Sequence, residues 1–530
     1  MNISRSFWNI LIVFFFWGFL AASNGIFIPF CKSHFALNQF QSQLIDFSFY
    51  GAYFMGSILV FFYSLVSQKD LFLTLGYRYG IIYGILLSAF GCLLMITSIY
   101  IDYFPLILIS FFIIALGFSF QQTAANPLVI LMGDPTKGSH RLNLAGGINS
   151  LGTTLGPLVL SKFLFGTASG SIAKLYMGLL SIFLLSALIL YKSSIKEPVT
   201  TENTFKNKVI RVPFLIMLGF LGVIGMVFLY YGSVLRTTHY TASIILFSMA
   251  LFVFSLLLFF ILKYKQLEKK QLIETKNIPQ LNLGMMAIFA YVGAEVTIQS
   301  NLGAFLNTPE FNFTTGAILS KYISLYWGSL MIGRWVGSLA NFKLNKGLKV
   351  PIMLGVLLVG FMVILGTNVL NGNGVIEIAR IYPVFLFILF LGFLFSKEKP
   401  AYNLQVFSLL GSFSLILGLI TTGTISLFLF VSAGLYCSIM WPCIFSMAIA
   451  NLKAYTGQGS SYLIMMILGG ALLPPIQGLI CDLNLHFASP IKGYSWSHIS
   501  YLIPFLCFLY LTYFSYYTNK LLLKQGLNYN

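Results

Sequence analysis

The strongest constraint on this chain is a succession of long apolar runs, each bounded by charged or turn-forming residues. A helix needs about 20 consecutive apolar residues to cross a bilayer. Of the 530 residues, 58% are hydrophobic and 8% are charged, whereas soluble domains carry about 25% charged residues. The sequence therefore predicts an all-α, polytopic membrane protein with sixteen crossings: 7–30, 45–66, 80–99, 104–132, 142–165, 172–191, 212–232, 241–262, 281–306, 315–340, 348–367, 381–396, 405–426, 428–450, 459–481 and 497–519.

The net charge of +18 is an orientation signal. If the N-terminus is cytoplasmic and the crossings alternate, 24 of the 31 Lys and Arg residues lie on the cytoplasmic side. Because cytoplasmic loops retain basic residues, we expect both termini in the cytoplasm and the chain in the cytoplasmic membrane. The expected partner at this point is the lipid bilayer, with no nucleic acid, and we expect the monomer to be functional.

Two segments of the chain share the same order of landmarks. Each contains a helix broken by a proline, Pro127 in the first and Pro442 in the second, then a basic loop and a glycine-rich helix that reaches another proline. The prolines are separated by 30 residues in the first segment, up to Pro157, and by 32 in the second, up to Pro474. Parallel repeats of this kind are typical of major facilitator transporters.

The repeat divides the chain into two six-helix halves. The first half is predicted for residues 1–192 and the second for 281–530. Residues 193–280 then form basic linkers around one extra transmembrane hairpin, and a second hairpin is inserted near 348–404.

Acidic residues within the apolar runs are rare, and ionisable groups in a bilayer are costly and often functional. Glu295 lies near the middle of its run, and Asp46 lies at the start of the second run, close to the outer end of that predicted helix. Either acid could instead form a hydrogen bond between helices. The sequence contains no P-loop, HExxH or GxSxG motif and no metal-ligand spacing of cysteines, so we expect neither an enzyme nor a cofactor.

Amide and aromatic side chains form a larger polar group in the predicted membrane region. Amides donate and accept hydrogen bonds, and aromatic faces pack against the apolar surface of a sugar ring, so the group is typical of a site for a neutral sugar. Any one amide could equally join two helices. The candidates are Asn24, Gln121, Gln122, Asn126, Asn149, Gln299, Asn301 and Trp441.

Several of these residues occur in a recognisable pattern. Gln122-Thr-Ala-Ala-Asn-Pro127, followed by Arg141-Leu-Asn-Leu-Ala, resembles the ETAANP…RLNLA signature of the fucose:proton symporter family, a branch of the major facilitator superfamily. Tyr291-Val-Gly-Ala-Glu295, Ile332-Gly-Arg334 and Trp441-Pro-Cys-Ile-Phe445 are similar too. The resemblance covers the twelve core helices and implies the major facilitator fold and sugar transport.

The departures from this family concern cation coupling. The family's two proton-coupling acids correspond to Gly25 and Gln122 here, neither of which can carry a proton. We therefore expect Glu295, together with Asp46, to carry any co-transported cation, either a proton or sodium.

The sequence predicts a secondary active transporter that imports a hexose by alternating access, with cation coupling. It does not distinguish glucose, galactose, fucose and N-acetylglucosamine, and uniport stays open. An exporter of another small molecule, such as a drug, is the alternative, and a membrane enzyme acting on a lipid-linked sugar is a distant one.

Overall fold

A computed structural model of the chain describes residues 5–67, 71–131, 138–165, 171–193, 278–311, 316–339, 346–396, 399–452, 456–485 and 493–526, together with the strands 209–210 and 272–273 and a few isolated positions. Within these residues the fold is helical apart from one short strand pair.

The N-terminal part of the chain contains eight described helices. They are α1 (Arg5–His34), α2 (Gln39–Ser42), α3 (Leu44–Ser67), α4 (Leu71–Leu75), α5 (Tyr77–Ile101), α6 (Phe104–Leu131), α7 (Gly138–Phe165) and α8 (Ser171–Lys192). The short helix α2 is capped by Asn38, whose side chain accepts a hydrogen bond from the Gln41 amide, and the Gln41 side chain accepts one from the Asn38 amide in return. This capping box sets the direction in which the chain enters α3.

The described helices of the C-terminal part follow a two-residue parallel pairing of β1 (Val209–Ile210) with β2 (Leu272–Ile273). They are α9 (Pro279–Ser300), α10 (Leu302–Leu306), α11 (Gly316–Ser338), α12 (Lys346–Leu370), α13 (Ile376–Phe395), α14 (Pro400–Ile420), α15 (Gly423–Cys437), α16 (Met440–Ala448), α17 (Thr456–Met465), α18 (Gly469–Asp482), α19 (Trp496–Ile499) and α20 (Leu502–Lys524). Short 3-10 turns span Met466–Leu468 and Leu483–Leu485.

The number of membrane crossings differs from the prediction. Among the described residues, eleven helices are long and apolar enough to span a membrane, or up to twelve if the bent pair α15 and α16 forms one span. The count of sixteen is therefore not confirmed. Helices α7 and α11 are not among the eleven; both contain many glycine and polar residues. The predicted crossings 212–232 and 241–262 lie outside the described ranges.

The two predicted proline breaks also differ from the structure. Helix α6 continues through Pro127 to Leu131. In the second segment the helix does bend, by 44°, but between Cys437 and Met440. Pro442 is the third residue of α16, where a missing backbone N–H removes no hydrogen bond within the helix. The proline follows the break and does not cause it.

Helix packing relates the N-terminal and C-terminal parts of the chain. Helix α1 packs against α7, and α9 packs against α18, so the same positions of the repeat meet in each part. Across the two parts, α3 packs against α18 and α7 packs against α11. The domain boundaries predicted from the sequence stay a prediction.

The helices have two ends that can be named from α1. At the proximal end, where α1 begins, Arg78 Nη1 donates to the Ser193 carbonyl at 2.9 Å. At the distal end, where α1 finishes, His34 Nε2 lies 2.7 Å from Asp102 Oδ1. The distal end is closed by contacts between distant parts of the chain: the backbone amides of Gln39 and Phe40 donate to Asp482 at 2.8 and 2.9 Å.

Candidate sites for a substrate and a cation

Glu295 lies in an ion pair near the middle of the bundle. Its Oε1 accepts hydrogen bonds from Tyr291 Oη at 2.8 Å and from Arg334 Nη2 at 3.2 Å. Arg334 also donates to Ser150 Oγ at 2.8 Å, which links α11 to α7. Sequence reasoning did not identify Arg334 as a site residue. The motif Ile332-Gly-Arg334 is the available signal, but the sequence prediction places Arg334 at the cytoplasmic end of the crossing 315–340 and counts it only as an orientation charge.

Asp46 has a different environment from Glu295. It is fully buried near the start of α3. One carboxylate oxygen accepts a hydrogen bond from Asn24 Nδ2 of α1 at 3.0 Å, and the other accepts one from the hydroxyl of Ser300, the last residue of α9. No lysine, arginine or histidine of the described ranges forms an ion pair with Asp46. The structure thus places this acid where three helices meet, with neutral partners.

Asn24 and Gln299 each contribute one unpaired oxygen next to Asp46. Asn24 Oδ1 and Gln299 Oε1 are buried and accept no hydrogen bond. Gln299 Nε2 donates to Ser300 Oγ at 2.9 Å. A Cβ added to Gly25 would lie 2.0 Å from Gln299 Oε1. The Gln299 side chain therefore occupies the space into which a larger residue at position 25 would project, including the aspartate that the resemblance places there.

Asn301 lies in the break between α9 and α10, where its polar atoms hold the distal end together. Its Oδ1 accepts from Gln39 Nε2 at 3.0 Å and from Gln43 Nε2 at 3.2 Å. Its Nδ2 donates to the Pro474 carbonyl at 3.3 Å. With these partners, Asn301 joins α2, α9 and α18, which indicates a structural role.

Both polar atoms of the Gln121 side chain also form hydrogen bonds within the protein. Its Oε1 accepts from Trp17 Nε1 at 2.9 Å, and its Nε2 donates to Ser88 Oγ at 3.0 Å. The side chain is 1% exposed. It joins α1, α5 and α6 and has no polar atom left for a ligand.

The remaining sequence candidates are partly exposed and lie in the proximal half of the bundle. Gln122 Nε2 donates to Tyr53 Oη at 3.1 Å, and Asn149 Nδ2 donates to the Phe14 carbonyl at 2.9 Å. Asn126 lies one helical turn beyond Gln122 and is also partly exposed. Trp441, at the start of α16, is partly exposed as well. These four are the candidates whose position leaves them accessible to a substrate.

Aromatic contacts connect this group to Glu295. The rings of Trp441 and Tyr291 are 6.2 Å apart, and Tyr291 donates to Glu295. Tyr50 is stacked on Tyr53 and contacts the position of Gly470 in α18. A Cβ added to Gly51 would meet no atom within 4 Å, so there is open space beside these tyrosines.

These helices and the packing between their repeats define the chain as a polytopic helical membrane protein with the major facilitator fold. A solved structure of the Escherichia coli fucose:proton symporter FucP and a second one of a major facilitator superfamily transporter, FucP, match it with TM-scores of 0.57 and 0.56 at 22% and 23% identity. Each match covers 97% of this chain and 98% of the symporter. One of them is described as the outward conformation.

Sequence comparison identifies curated relatives that are named as transporters. The glucose/galactose transporter of Brucella abortus is 27% identical over 514 residues, which cover 97% of this chain and 93% of the relative. The L-fucose-proton symporter of Escherichia coli is 24% identical over 512 residues, covering 96% and 92%. No protein-family model matches the sequence. The predicted resemblance is confirmed: the chain is a homologue of these transporters and is not an enzyme.

Proposed function

We propose that this chain is a secondary transporter that moves a hexose across the cytoplasmic membrane by alternating access. The observation that carries the proposal is the group of partly exposed amide and aromatic side chains in the proximal half of the bundle. The relatives are named for glucose and galactose or for fucose, which supports a hexose as the substrate class.

The sugar site that we propose contains Gln122, Asn126, Asn149 and Trp441. Amide side chains donate and accept hydrogen bonds simultaneously, which suits adjacent sugar hydroxyls. The indole of Trp441 offers an aromatic face to the apolar side of a pyranose ring. Gln121 and Asn301 are structural in this proposal because their amide groups are bonded within the protein.

Transport is coupled, in this proposal, to the inward movement of a cation, with a buried carboxylate as the carrier of the coupling. Among the residues that the structure describes, Asp46 and Glu295 are the buried acids on which this step depends in the proposal. We further propose that both termini are cytoplasmic, because most of the basic residues then face the cytoplasm, and that the monomer is the functional unit.

The test is sugar counterflow in proteoliposomes that contain the purified chain. Vesicles loaded with unlabelled glucose, galactose, fucose or N-acetylglucosamine should accumulate the labelled sugar transiently without any ion gradient. Protein-free vesicles are the control. If none of these hexoses shows counterflow while the protein is folded, the proposed function is wrong. Proton and sodium gradients imposed separately then show whether net sugar import is coupled to either ion. Sugar movement out of the vesicles, driven by an inward ion gradient, would indicate an exporter.

A further inference from the structure

The environment of Asp46 contains more oxygen acceptors than hydrogen-bond donors. Asn24 Oδ1 and Gln299 Oε1 accept no hydrogen bond although both are buried. Each belongs to an amide whose nitrogen is bonded within the Asp46 cluster: Asn24 Nδ2 to the carboxylate and Gln299 Nε2 to Ser300 Oγ. Because each oxygen is in the same amide group as a nitrogen bonded within the cluster, both oxygens lie close to the cluster. Unpaired buried acceptors are costly unless a ligand or water satisfies them.

Ser300 shows the same excess of acceptors. Its hydroxyl oxygen lies within hydrogen-bond distance of the Val296 carbonyl, at 2.8 Å, and of the Asp46 carboxylate. A serine hydroxyl has one proton and can satisfy one of these acceptors at a time. When the Ser300 hydroxyl donates to the Val296 carbonyl, no proton from Ser300 lies between the Ser300 and Asp46 oxygens, and a cation beside both oxygens would offset their repulsion.

The backbone adds a further negative contribution at this point. Helix α9 ends at Ser300, and Asn301 separates it from α10. The carbonyl end of a helix carries a partial negative charge that favours cations. In membrane transporters, interrupted helices place such carbonyl ends at sodium sites.

We propose that Asp46, Asn24, Gln299 and Ser300 form a binding site for one sodium ion. One carboxylate balances one monovalent charge, and the neutral oxygens supply the remaining ligands. Glu295 is unsuited to this role because Arg334 already compensates its charge. Within the described part of the chain, no group of three or more His, Cys, Asp or Glu residues could hold a metal ion of higher charge.

This inference rests on the proposed transport function and gives its coupling a location. The ligands come from α1 and α3 on one side and from the end of α9 on the other, so a bound ion bridges helices from the N-terminal and C-terminal parts of the chain. A sodium ion favours the arrangement in which these helices meet, and its release frees them to separate. The ion can only shift the equilibrium by the difference in its affinity for the two arrangements.

The first experiment measures sodium binding directly on the purified wild-type chain. Sodium chloride should raise the melting temperature in detergent relative to choline chloride at equal ionic strength, because a ligand that binds the folded state stabilises it. Potassium chloride should have a smaller effect. Equal melting temperatures in all three salts would overturn the sodium site. This readout is independent of transport, and counterflow without a gradient tests the carrier function separately.

The second experiment uses variants in the same assay and in sodium-driven hexose uptake. Asp46→Asn should abolish the sodium-dependent shift and the sodium stimulation of uptake. Gln299→Leu, which retains the carboxylate, should raise the sodium concentration needed for half-maximal stimulation by about 10- to 100-fold. Asp102→Asn is the matched control because Asp102 is exposed and bonded to His34; it should respond to sodium as the wild type does.

The outcomes separate the site from the function. Counterflow in the wild type, with uptake that responds to a proton gradient but not to sodium, would leave the transporter intact and overturn the sodium assignment. Wild-type sodium affinity in Gln299→Leu would also contradict it, even if Asp46→Asn does not fold. A sodium-dependent melting shift without counterflow of any hexose would support the ion site and reject the proposed substrate.

Discussion

Two neighbouring side chains of the same type have different structural environments in this protein, which indicates different roles. Gln121 and Gln122 are consecutive on α6 and therefore point about 100° apart. Gln121 is buried between Trp17 and Ser88, whereas Gln122 is partly exposed beside Tyr53. Composition alone treats the two glutamines as equivalent. Their partners indicate that the first holds helices together and that the second is available to a substrate.

Replacing the two glutamines separately should distinguish a residue that contributes to stability from one that contributes to transport. Gln121→Leu leaves the buried Trp17 indole N–H without an acceptor and removes a donor to Ser88 Oγ. We expect it to lower the free energy of unfolding by about 1–3 kcal/mol. Gln122→Leu should leave the melting temperature nearly unchanged and raise the KM for hexose uptake. Both variants are compared by thermal unfolding in detergent and by initial uptake rates. A raised KM in Gln121→Leu alone would reverse the assignment.

We expect the effects of Glu295 and Arg334 on the unfolding free energy to depend on each other, because the two side chains form an ion pair. The two side chains are 11% and 24% exposed. Arg334→Met leaves a buried carboxylate without compensation, which we expect to cost about 3 kcal/mol of unfolding free energy. The double variant with Glu295→Gln should recover much of this loss because no charge is left unpaired. Additive losses in the double-mutant cycle would show that the pair makes no net contribution.

At the scale of helices, glycines allow the same pair of positions to pack closely in both repeats. A Cβ added to Gly152 in α7 would lie 2.1 Å from the Phe15 carbonyl of α1. A Cβ added to Gly469 in α18 would lie 1.9 Å from the Phe289 carbonyl of α9. In each case the obstacle is backbone, which cannot rotate away. Close backbone approach through small residues is a general basis of helix association in membranes.

Alanine at these positions should therefore separate the helices. We expect Gly152→Ala and Gly469→Ala to lower the melting temperature and the yield of folded protein. Gly366→Ala in α12 is the matched control, since an added Cβ there meets no atom within 4 Å. Because alanine favours helix by about 1 kcal/mol over glycine, the control should be neutral or stabilising. Equal effects at all three positions would contradict the packing argument.

The helices could largely be located from the sequence, but their interruptions could not. Apolar runs identify helices because membrane-spanning backbone must satisfy its hydrogen bonds internally. The prediction located the interruptions at prolines, yet α6 passes through Pro127, and α9 ends at Ser300 with no proline beside the break. The end of α9 depends on tertiary partners such as Gln39, Gln43 and the Pro474 carbonyl, which no local pattern reveals.

At the scale of the whole molecule, the candidate sites depend on contacts between residues far apart in the chain. Asp46 meets Ser300 across 254 residues, and Glu295 meets Arg334 across 39. The sequence could identify both acids because charges are rare in apolar runs. It could not show that one acid has a cationic partner and the other does not, since that difference arises only when the helices pack.

The closed distal end leads to a prediction about the transport cycle. Helix α2 contacts α18 there: Asp482 accepts the Gln39 and Phe40 amides, and a Cβ added to Gly478 would lie 3.2 Å from Phe40 Cα. Cysteines at positions 40 and 478 are thus close enough for a disulfide, which needs Cβ atoms about 3.5–4.5 Å apart.

Alternating access requires this end to open once in every cycle. In a background without the native cysteines, the oxidised Phe40→Cys, Gly478→Cys double variant should lose hexose counterflow, and a reducing agent should restore it. Each single variant, oxidised in the same way, should transport at the rate of the background protein. Because a disulfide holds α2 against α18, undiminished counterflow in the fully cross-linked protein would mean that the sugar does not pass through the distal end.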